Sequence, residues 1–395
     1  MKSIIICVCV IIFSVSAWAD KELPSGDLTL EQAIAITLEQ NPGMAEARER
    51  INQAKAVLIQ AKSAWLPRIS VQGSAMAMDV TIQPDWKPDL RLSESLNEYK
   101  GEIQGSFLLF EGFARHAKIA GATHGLAKSE YMQQNTRRLL IKAVTLTYYR
   151  ARISMEKMQI ARQDQEFNRI LEAHARIRHE AGVSPESEVL NFSVRALTAE
   201  TNFLDAKKEF QTTCLTLAQL MGVGELSLSP AHIPSAKDLP AHLEQPDPES
   251  EISFAMTHRP DIKALDMGIA ALKRQYEASK AGIFPKIAMV SGVKYLYQDD
   301  KAPIDEEEHQ TYAGVSLQWD LFTGGQRKGE IGEAYARLQE VTAQRNNLSL
   351  SLRADIQKAV VSTDTAWNNW QNRKNIAYMA NTVRDHVQKA YKAGK

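Results

Sequence analysis

Two long stretches without proline constrain this chain more than any other feature. The first runs from Gly112 to Gly182 and contains almost no internal glycine. At about 1.5 Å per residue, roughly 70 residues of continuous helix give a rod on the order of 100 Å. The second stretch begins at Leu338 and repeats the same helical spacing of apolar residues. Helices of this length exceed the needs of an ordinary globular core and indicate coiled-coil packing.

The sequence is built from two tandem copies of one pattern. In each copy a helical segment lies between two equally spaced prolines, and a Leu-Phe-x-Gly motif follows. The landmarks are Pro42 and Pro67 with residues 109–112, and Pro260 and Pro285 with residues 321–324. Phe110 and Phe322 are 212 residues apart, and the same offset carries Gly182 onto Gly394. The chain is therefore predicted to contain two equivalent structural repeats.

The repeat predicts the organisation of the chain. The first repeat, 20–222, contains a helix, two strands, a long helix and a returning helix. The second, 251–395, follows a proline-rich linker at 223–250 and lacks the returning helix. The predicted strands lie near 68–78, 101–110, 286–298 and 311–322, and the predicted long and returning helices are 113–181, 184–221 and 326–393. We therefore expect the sequence to be a fragment or the product of a truncated gene.

The first residues have the pattern of a signal peptide. Lys2 supplies a positive charge, residues 4–15 form an apolar run, and Ala17-Trp18-Ala19 is a small-x-small cleavage site. We expect residues 1–19 to be removed and the protein to leave the cytoplasm of a bacterium. A short transmembrane anchor is the alternative, but the apolar run is too short to span a bilayer. Cleavage would leave Cys214 as the only thiol, so an internal disulfide is not expected.

Charge and motifs exclude several functional classes. The chain has 47 basic and 47 acidic side chains, and its zero net charge argues against nucleic-acid binding. No nucleophile elbow, phosphate-binding glycine loop, zinc-binding His-Glu-x-x-His helix or cysteine cluster occurs in the sequence. His174 and His179 are five residues apart, which does not place them on one helical face. We expect no enzyme activity, no cofactor and no metal site.

Between the second proline and the Leu-Phe motif of each copy, the apolar period changes from helical to two. Residues 311–322 alternate most cleanly, with Val315, Leu317 and Trp319 on one face. About ten residues is the length of a tilted strand that crosses a bilayer. A soluble hairpin that caps a coiled coil is the alternative, but export and aromatic residues near the strand ends favour an outer-membrane barrel. Because four strands leave unpaired edges facing lipid, several chains must share one barrel.

The motifs in combination resemble the outer-membrane efflux protein family typified by TolC. They are the two Leu-Phe-x-Gly motifs, the Asn-Pro and Arg-Pro helix starts at 41–42 and 259–260, and the turn at 181–190. The resemblance covers nearly all of the mature chain. It implies a mainly α fold with membrane β: a long α-helical coiled-coil barrel continuous with a transmembrane β-barrel, shared by three chains that contribute four strands each.

The resemblance also implies a location and partners. The homotrimer would lie in the outer-membrane lipid of a Gram-negative bacterium and extend into the periplasm. It would bind a periplasmic adaptor (membrane fusion) protein and, through it, an inner-membrane pump of the RND or ABC type. The family's acidic constriction follows the second hairpin tip, which begins at Ala393-Gly394 here, so no gate residues can be assigned.

Three groups of residues are candidates for the functional parts of such a duct. Pro67 and Pro285 would end helices at the membrane strands, and Gly112, Gly324 and Gly325 would mark the return from strand to helix. An aromatic girdle would comprise Phe107, Phe110, Tyr295, Tyr297, Trp319 and Phe322. The adaptor-docking hairpin tip would comprise Gly182, Val183, Ser184, Pro185, Glu186, Glu188 and Gly394.

Ordinary hairpin chemistry also explains this tip. Gly182 can cap the long helix, and Ser184 is a candidate N-cap with Pro185 at the first helical position. Glu186 and Glu188 suit the positive end of the next helix.

The sequence therefore predicts a passive trimeric duct from the periplasm to the exterior, as the outer-membrane component of a tripartite efflux pump or a type I secretion system. A non-conducting periplasmic coiled-coil scaffold anchored by β-hairpins is the main alternative. A secreted hydrolase would need a site that the sequence does not offer.

Overall fold

The computed structural model describes residues 28–82, 92–223, 246–299 and 306–392. The predicted signal peptide, most of the predicted linker and Gly394 lie outside these ranges. The described chain is mostly helical with one antiparallel sheet, in agreement with the expected fold class. Its elements are α1 (Leu30–Gln40), α2 (Pro42–Ser63), β1 (Arg68–Ile82), β2 (Leu92–Phe110), α3 (Ala114–Glu180), α4 (Glu186–Met221), α5 (Pro248–His258), α6 (Pro260–Lys280), a 3-10 turn (Ala281–Ile283), β3 (Lys286–Asp299), β4 (Glu306–Gln318) and α7 (Gln326–Lys392).

The two long helices, α3 and α7, have 67 residues each, which at about 1.5 Å per residue gives helices of about 100 Å. None of the helices in the described ranges has a stretch of 18 residues apolar enough to cross a membrane. The chain divides into two compact units, one formed by residues up to 45 with 136–241, the other by 46–135 with 242–395.

The first unit has a core between α1, the later part of α3 and the end of α4. Tyr148 is buried there and its hydroxyl donates a hydrogen bond to the carbonyl of Leu28, with 2.8 Å between the oxygens. Cys214 is buried in the same core, and burial raises the pKa of its thiol to about 11. The other buried members are Ala33, Val144, Ala151, Met155, Phe210, Leu217 and Met221. Each fully buried large side chain contributes about 1.5 to 3 kcal/mol to folding.

The ends of this core are fixed by local capping. Thr29 and Gln32 form a reciprocal capping box at the start of α1, and Gly222 closes α4 in the left-handed conformation. The side-chain amide of Asn41 donates a hydrogen bond to the carbonyl of Leu220, with 2.8 Å between nitrogen and oxygen. These contacts join α1 and α4 where their backbones would otherwise leave polar groups unpaired.

The second unit contains α5, α6, α7 and the sheet, in which the strands follow the order β1-β2-β3-β4. All neighbouring strands are antiparallel. Arg345 on α7 contacts Asp266 on α6, with 3.2 Å between guanidinium nitrogen and carboxylate oxygen. Arg259 and Asp261 form a second pair at the start of α6, and the hydrogen bond from Arg259 to Asp261 raises the arginine pKa.

Several predicted boundaries are wrong. β1 continues to Ile82 and β2 begins at Leu92, beyond the predicted 68–78 and 101–110, because the ladder pairs the two strands out to those residues, and β4 begins at Glu306 instead of 311. β4 ends at Gln318 and not at 322, because the side chain of Arg327 donates to the carbonyl of Asp320 and the indole of Trp319 donates to the carbonyl of Ile283. These contacts draw the chain away from the ladder direction after Gln318. In turn, α4 begins at Glu186, two residues later than predicted, since extended Pro185 occupies the N-cap position.

Candidate functional site

The sheet presents two faces of opposite character. Val71, Ile103 and Val293 are direct cross-strand neighbours on β1, β2 and β3, and each is at least half exposed. Residues of odd number continue this face along all four strands because side chains alternate with a period of two. The face also carries Ile69, Tyr99, Phe107, Met289, Val315 and Leu317. A broad exposed apolar face of this kind marks contact with a partner or a membrane.

The opposite face is polar, and its side chains bind one another. The hydroxyl of Tyr312 on β4 donates a hydrogen bond to the carboxylate of Glu102 on β2, with 2.7 Å between the oxygens. The tyrosine ring passes over Gly292 on β3, where an added Cβ would lie 2.6 Å from the tyrosine oxygen. Lys100 pairs with Glu98 across 2.5 Å. This face is therefore suited to water, and glycine at 292 lets the tyrosine lie flat against it.

The sheet is open at both sides. β1 and β4 each pair with one neighbour only in the described part of the chain. Unpaired strand edges combined with an apolar face cannot be placed in lipid, because each unpaired backbone group there costs several kcal/mol. In lipid, both edges of such a sheet must therefore be paired with further strands.

The predicted aromatic residues take different positions on this sheet. Tyr297 faces Tyr99 across the β2–β3 ladder with 6.0 Å between ring centres, and Phe107 faces Met289 at the other end. These two levels are eight residues apart on β3, or about 26 Å along the strand. For a strand tilted by about 40° this is about 20 Å across the membrane, within the apolar band of about 25 Å in membrane barrels. Sequence reasoning missed Tyr99, although its odd number on β2 could have identified it.

The rest of the predicted girdle needs one correction. Tyr295 packs beside His309 with 4.9 Å between ring centres, and Phe110 is the last residue of β2. Trp319 and Phe322 are not strand residues, because β4 has ended at Gln318. Phe322 is 90% exposed.

The predicted helix-strand transitions coincide with the ends of elements. Pro67 and Pro285 directly precede β1 and β3. Gly112, Gly324 and Gly325 lie between a strand and the following helix, and all three have positive φ. Positive φ is the conformation that glycine adopts without steric cost.

Arg115, to which the sequence reasoning assigned no role, organises the first transition. It is 4% exposed, its guanidinium lies 4.0 Å from the ring centre of Trp65, and it donates hydrogen bonds to three carbonyls. The carbonyls belong to Ala64, Leu108 and Leu109, so the arginine joins the end of α2 to the end of β2. Its recurrence as Arg327, at the same offset as the Leu-Phe motif, is the signal that could have found it.

The predicted hairpin tip connects α3 to α4. Gly182 has φ of 71°, and the amide of Val183 donates to the carbonyl of Arg178 across 2.8 Å, which closes α3 as a Schellman motif. Ser184 was predicted to cap α4, but its buried hydroxyl has no hydrogen-bond partner among the described residues. Glu186 and Glu188 occupy the first turn of α4, where the helix dipole favours acidic groups.

Comparison with known proteins gives consistent matches. The family model described as outer membrane efflux protein matches residues 33–223 and 252–395. The pyoverdine export outer membrane protein OpmQ of Pseudomonas aeruginosa is 22% identical over 351 residues, which is 88% of this chain and 72% of that protein. Protein CyaE of Bordetella pertussis is 22% identical over 338 residues, or 84% of this chain and 68% of that protein.

Solved structures have the same fold. The Campylobacter jejuni CmeC outer membrane channel superposes with a TM-score of 0.77 at 15% identity, covering 92% of this chain and 77% of that chain. The outer membrane protein VceC of Vibrio cholerae gives 0.69 at 20% identity, covering 93% of this chain and 86% of that chain. The resemblance inferred from the motifs is thereby confirmed.

Proposed function

Because this chain belongs to the outer membrane efflux protein family, we propose that it is the outer-membrane channel of a tripartite efflux pump or a type I secretion system. The family consists of channel proteins and not of enzymes, and its members lie in the outer membrane of Gram-negative bacteria. The observation that carries the proposal is the four-stranded sheet, which has one exposed apolar face, one polar face and two open edges.

Three copies of the chain would close this sheet into a barrel of twelve strands. The apolar face, represented by Val71 and Val315, then faces lipid, and the polar face with Glu102 and Tyr312 lines the passage. Closure removes the unpaired edges that make a single sheet unstable in lipid. The passage is a passive duct, so the energy for transport comes from an inner-membrane pump of the RND or ABC class.

The helical parts of the chain would form the periplasmic extension of the duct and bind an adaptor protein. We place the docking surface at the α3–α4 tip, where Val183 is exposed and Glu186 and Glu188 start α4. Gly182 and Pro185 shape this turn, Ser184 lies within it, and Gly394 corresponds to Gly182 in the sequence repeat. The proposal predicts that Val183→Asp fails to restore the export defect of a gene-deletion strain although its conductance in bilayers is unchanged. Val194→Asp, an equally exposed change along α4, should restore export.

Conductance through planar bilayers tests the channel itself. The mature protein should give current steps, and Gly314→Cys, on the polar face, should lose most of its current after reaction with a bulky charged thiol reagent. Val315→Cys is the matched control, because its neighbouring side chain faces lipid and its modification should leave the current unchanged. A Cβ at Gly314 meets open space, and Cys214 is buried, so neither complicates the comparison. An assembled protein that passes no current would instead favour the non-conducting scaffold.

A further inference from the structure

We propose that Arg68 and Lys286 form a ring of positive charge where the passage enters the strand barrel, and that this ring favours the passage of anionic solutes. The two residues begin β1 and β3, at the end of the sheet that adjoins the helices. Each copy contributes two such cations, so three copies contribute six. The inference rests on the proposed function, because it takes the polar face of the sheet to line the passage.

The two cations occupy equivalent positions in the repeats. The offset of 218 between the prolines that precede β1 and β3 carries Arg68 onto Lys286. In the β1–β2 ladder Arg68 faces Ser106. In the β3–β4 ladder Lys286 faces Gln318, which lies 212 residues after Ser106, the same offset as between the two Leu-Phe motifs. Equivalent positions lie at one height in a barrel closed by repeats, so the cations of all copies meet in one ring.

Both cations lie on the polar face of the sheet. Side chains alternate between the two faces along a strand, so Arg68 and Lys286 lie opposite the apolar face that carries Ile69, which is 73% exposed. The nearest even positions on the four strands are uncharged, as at Ser70 and Ser316. The ring is therefore separated from the other charged side chains of the polar face.

The positive charges of this ring are not compensated within the described part of the chain. Neither Arg68 nor Lys286 forms an ion pair or a side-chain hydrogen bond with a residue in the described ranges, and both are exposed. The acidic residues that follow β2 and β4 have other partners. Glu111, after β2, lies 3.8 Å from the ammonium of Lys118, and the carboxylate of Asp320, after β4, accepts a hydrogen bond from a side-chain amide of that strand. Mobile anions of the solution must therefore balance the ring.

Further along the passage the charges are balanced. Lys100 pairs with Glu98 across 2.5 Å. Lys294 faces Glu102 in the β2–β3 ladder. Glu308 lies on β4 towards the loops at the far end of the sheet. Among the described residues of the polar face, an excess of positive charge is therefore confined to the end that adjoins the helices.

The size of the barrel lets the ring act on the whole cross-section of the passage. Twelve strands spaced by about 4.8 Å and tilted by about 40° close a barrel with a diameter of about 24 Å between Cα atoms. The axis is then about 12 Å from the wall and closer to the ends of the long side chains. The Debye length is about 10 Å in 0.1 M salt and about 3 Å in 1 M salt. The ring should therefore concentrate anions at low ionic strength and lose this effect at high ionic strength.

The ion preference of single channels tests the ring. The mature protein is reconstituted in planar bilayers, and the reversal potential in a potassium chloride gradient gives the ratio of chloride to potassium permeability. In gradients near 0.1 M, Arg68→Gln with Lys286→Gln should lower this ratio by about threefold. Each single replacement should lower it by less. In gradients near 1 M the double variant and the parent protein should agree.

Arg68→Lys with Lys286→Arg is the matched control. It exchanges the two side chains, keeps both charges and should leave the permeability ratio unchanged. Arg68→Glu with Lys286→Glu reverses the charge of the ring and should lower the ratio further than neutralisation does. All variants are first compared with the parent protein for heat-dependent migration of the assembled form on gels. If the double variant does not assemble, the single replacements are judged by the same criterion.

The outcomes separate the ring from the channel. A lower ratio in the neutral variants with no change in the exchanged variant supports the inference. An unchanged ratio in a conducting neutral variant overturns the ring while the proposed channel stands. A change of equal size in the exchanged variant also overturns it, because the effect would then follow the shape of the side chains and not their charge. If the assembled parent protein passes no current, the proposed function fails and the ring fails with it.

Discussion

The two strand-to-helix returns of the second unit share a sequence motif and a backbone conformation but not an environment. At the first, Gly112 lies against the chain that leads into β3, and at the second, Gly324 faces open space. Residues close in sequence explain the shared backbone conformation, since each return has a glycine with positive φ and an arginine that donates to a strand carbonyl. The difference arises from what lies beside the motif. Equivalent positions in a repeat can therefore share a backbone conformation and still differ in packing.

The largest effect expected from this comparison is that of Gly112→Ala. Positive φ alone costs a residue with a side chain about 1 to 3 kcal/mol, and here the added Cβ also meets a backbone oxygen at 2.6 Å, which cannot move aside easily. We expect the variant to lose its assembled form well below the temperature at which the parent protein does, as judged by heat-dependent migration on gels.

Gly324→Ala is the matched variant for this test. In an isolated chain it should cost only the conformational part, about 1 to 3 kcal/mol. A loss in the assembled protein as large as that of Gly112→Ala would indicate that another chain crowds Gly324, whereas a Gly112→Ala protein of parental stability would contradict the packing of Gly112 against Ala281 and Phe284.

Replacing Arg115 or Arg327 should lower the stability less than Gly112→Ala does, and the two replacements should differ in size. Arg115→Met removes a buried guanidinium that serves three carbonyls and covers Trp65, so we expect it to lower the free energy of unfolding by about 2 to 4 kcal/mol. Arg327→Met removes a less buried donor and should cost about 1 kcal/mol. Urea unfolding followed by tryptophan fluorescence measures both. Equal losses would show that burial of the first arginine has no energetic consequence.

Phe113→Gly should have the smallest effect. Phe113 has φ of 66°, while Gly325 occupies the matching position with φ of 91°. Glycine would relieve strain of about 1 kcal/mol or more and would lose an exposed edge-to-face contact with Phe110 worth about 0.5 to 1.5 kcal/mol. The same urea experiment should show a net change within about 1 kcal/mol. A much larger loss would mean that the phenyl ring has a further contact in the membrane.

Periodicity in the sequence predicted the helices, the strands and the faces of the sheet, because these depend on residues close together in the chain. It failed where a distant side chain intervenes. The alternation through Val315 and Leu317 continues to Leu321, and only the contacts of Trp319 and Arg327 end the strand earlier. The same alternation would put Leu109 on the apolar face of β2 with Ile103 and Phe107, but it lies in a bulge between Leu108 and Phe110.

The candidate site was predicted unevenly for the same reason. Proline and glycine fix local backbone angles, so the transition residues could be identified from sequence. Ser184 has the preferred chemistry of an N-cap, but Pro185 has an extended backbone with ψ of 155°, so the cap lies one residue later. Arg115 carries no local signature of its role, because its three acceptors are set by the meeting of α2 and β2.

Buried Cys214 is a natural chemical probe for opening of the first unit. Its thiol lies in the core formed by α1, α3 and α4, and with a pKa of about 11 it stays protonated and unreactive at neutral pH while that core is closed. A maleimide can therefore label it only as fast as the core opens. Labelling kinetics would report the lifetime of the folded first unit in intact membranes, without an engineered probe.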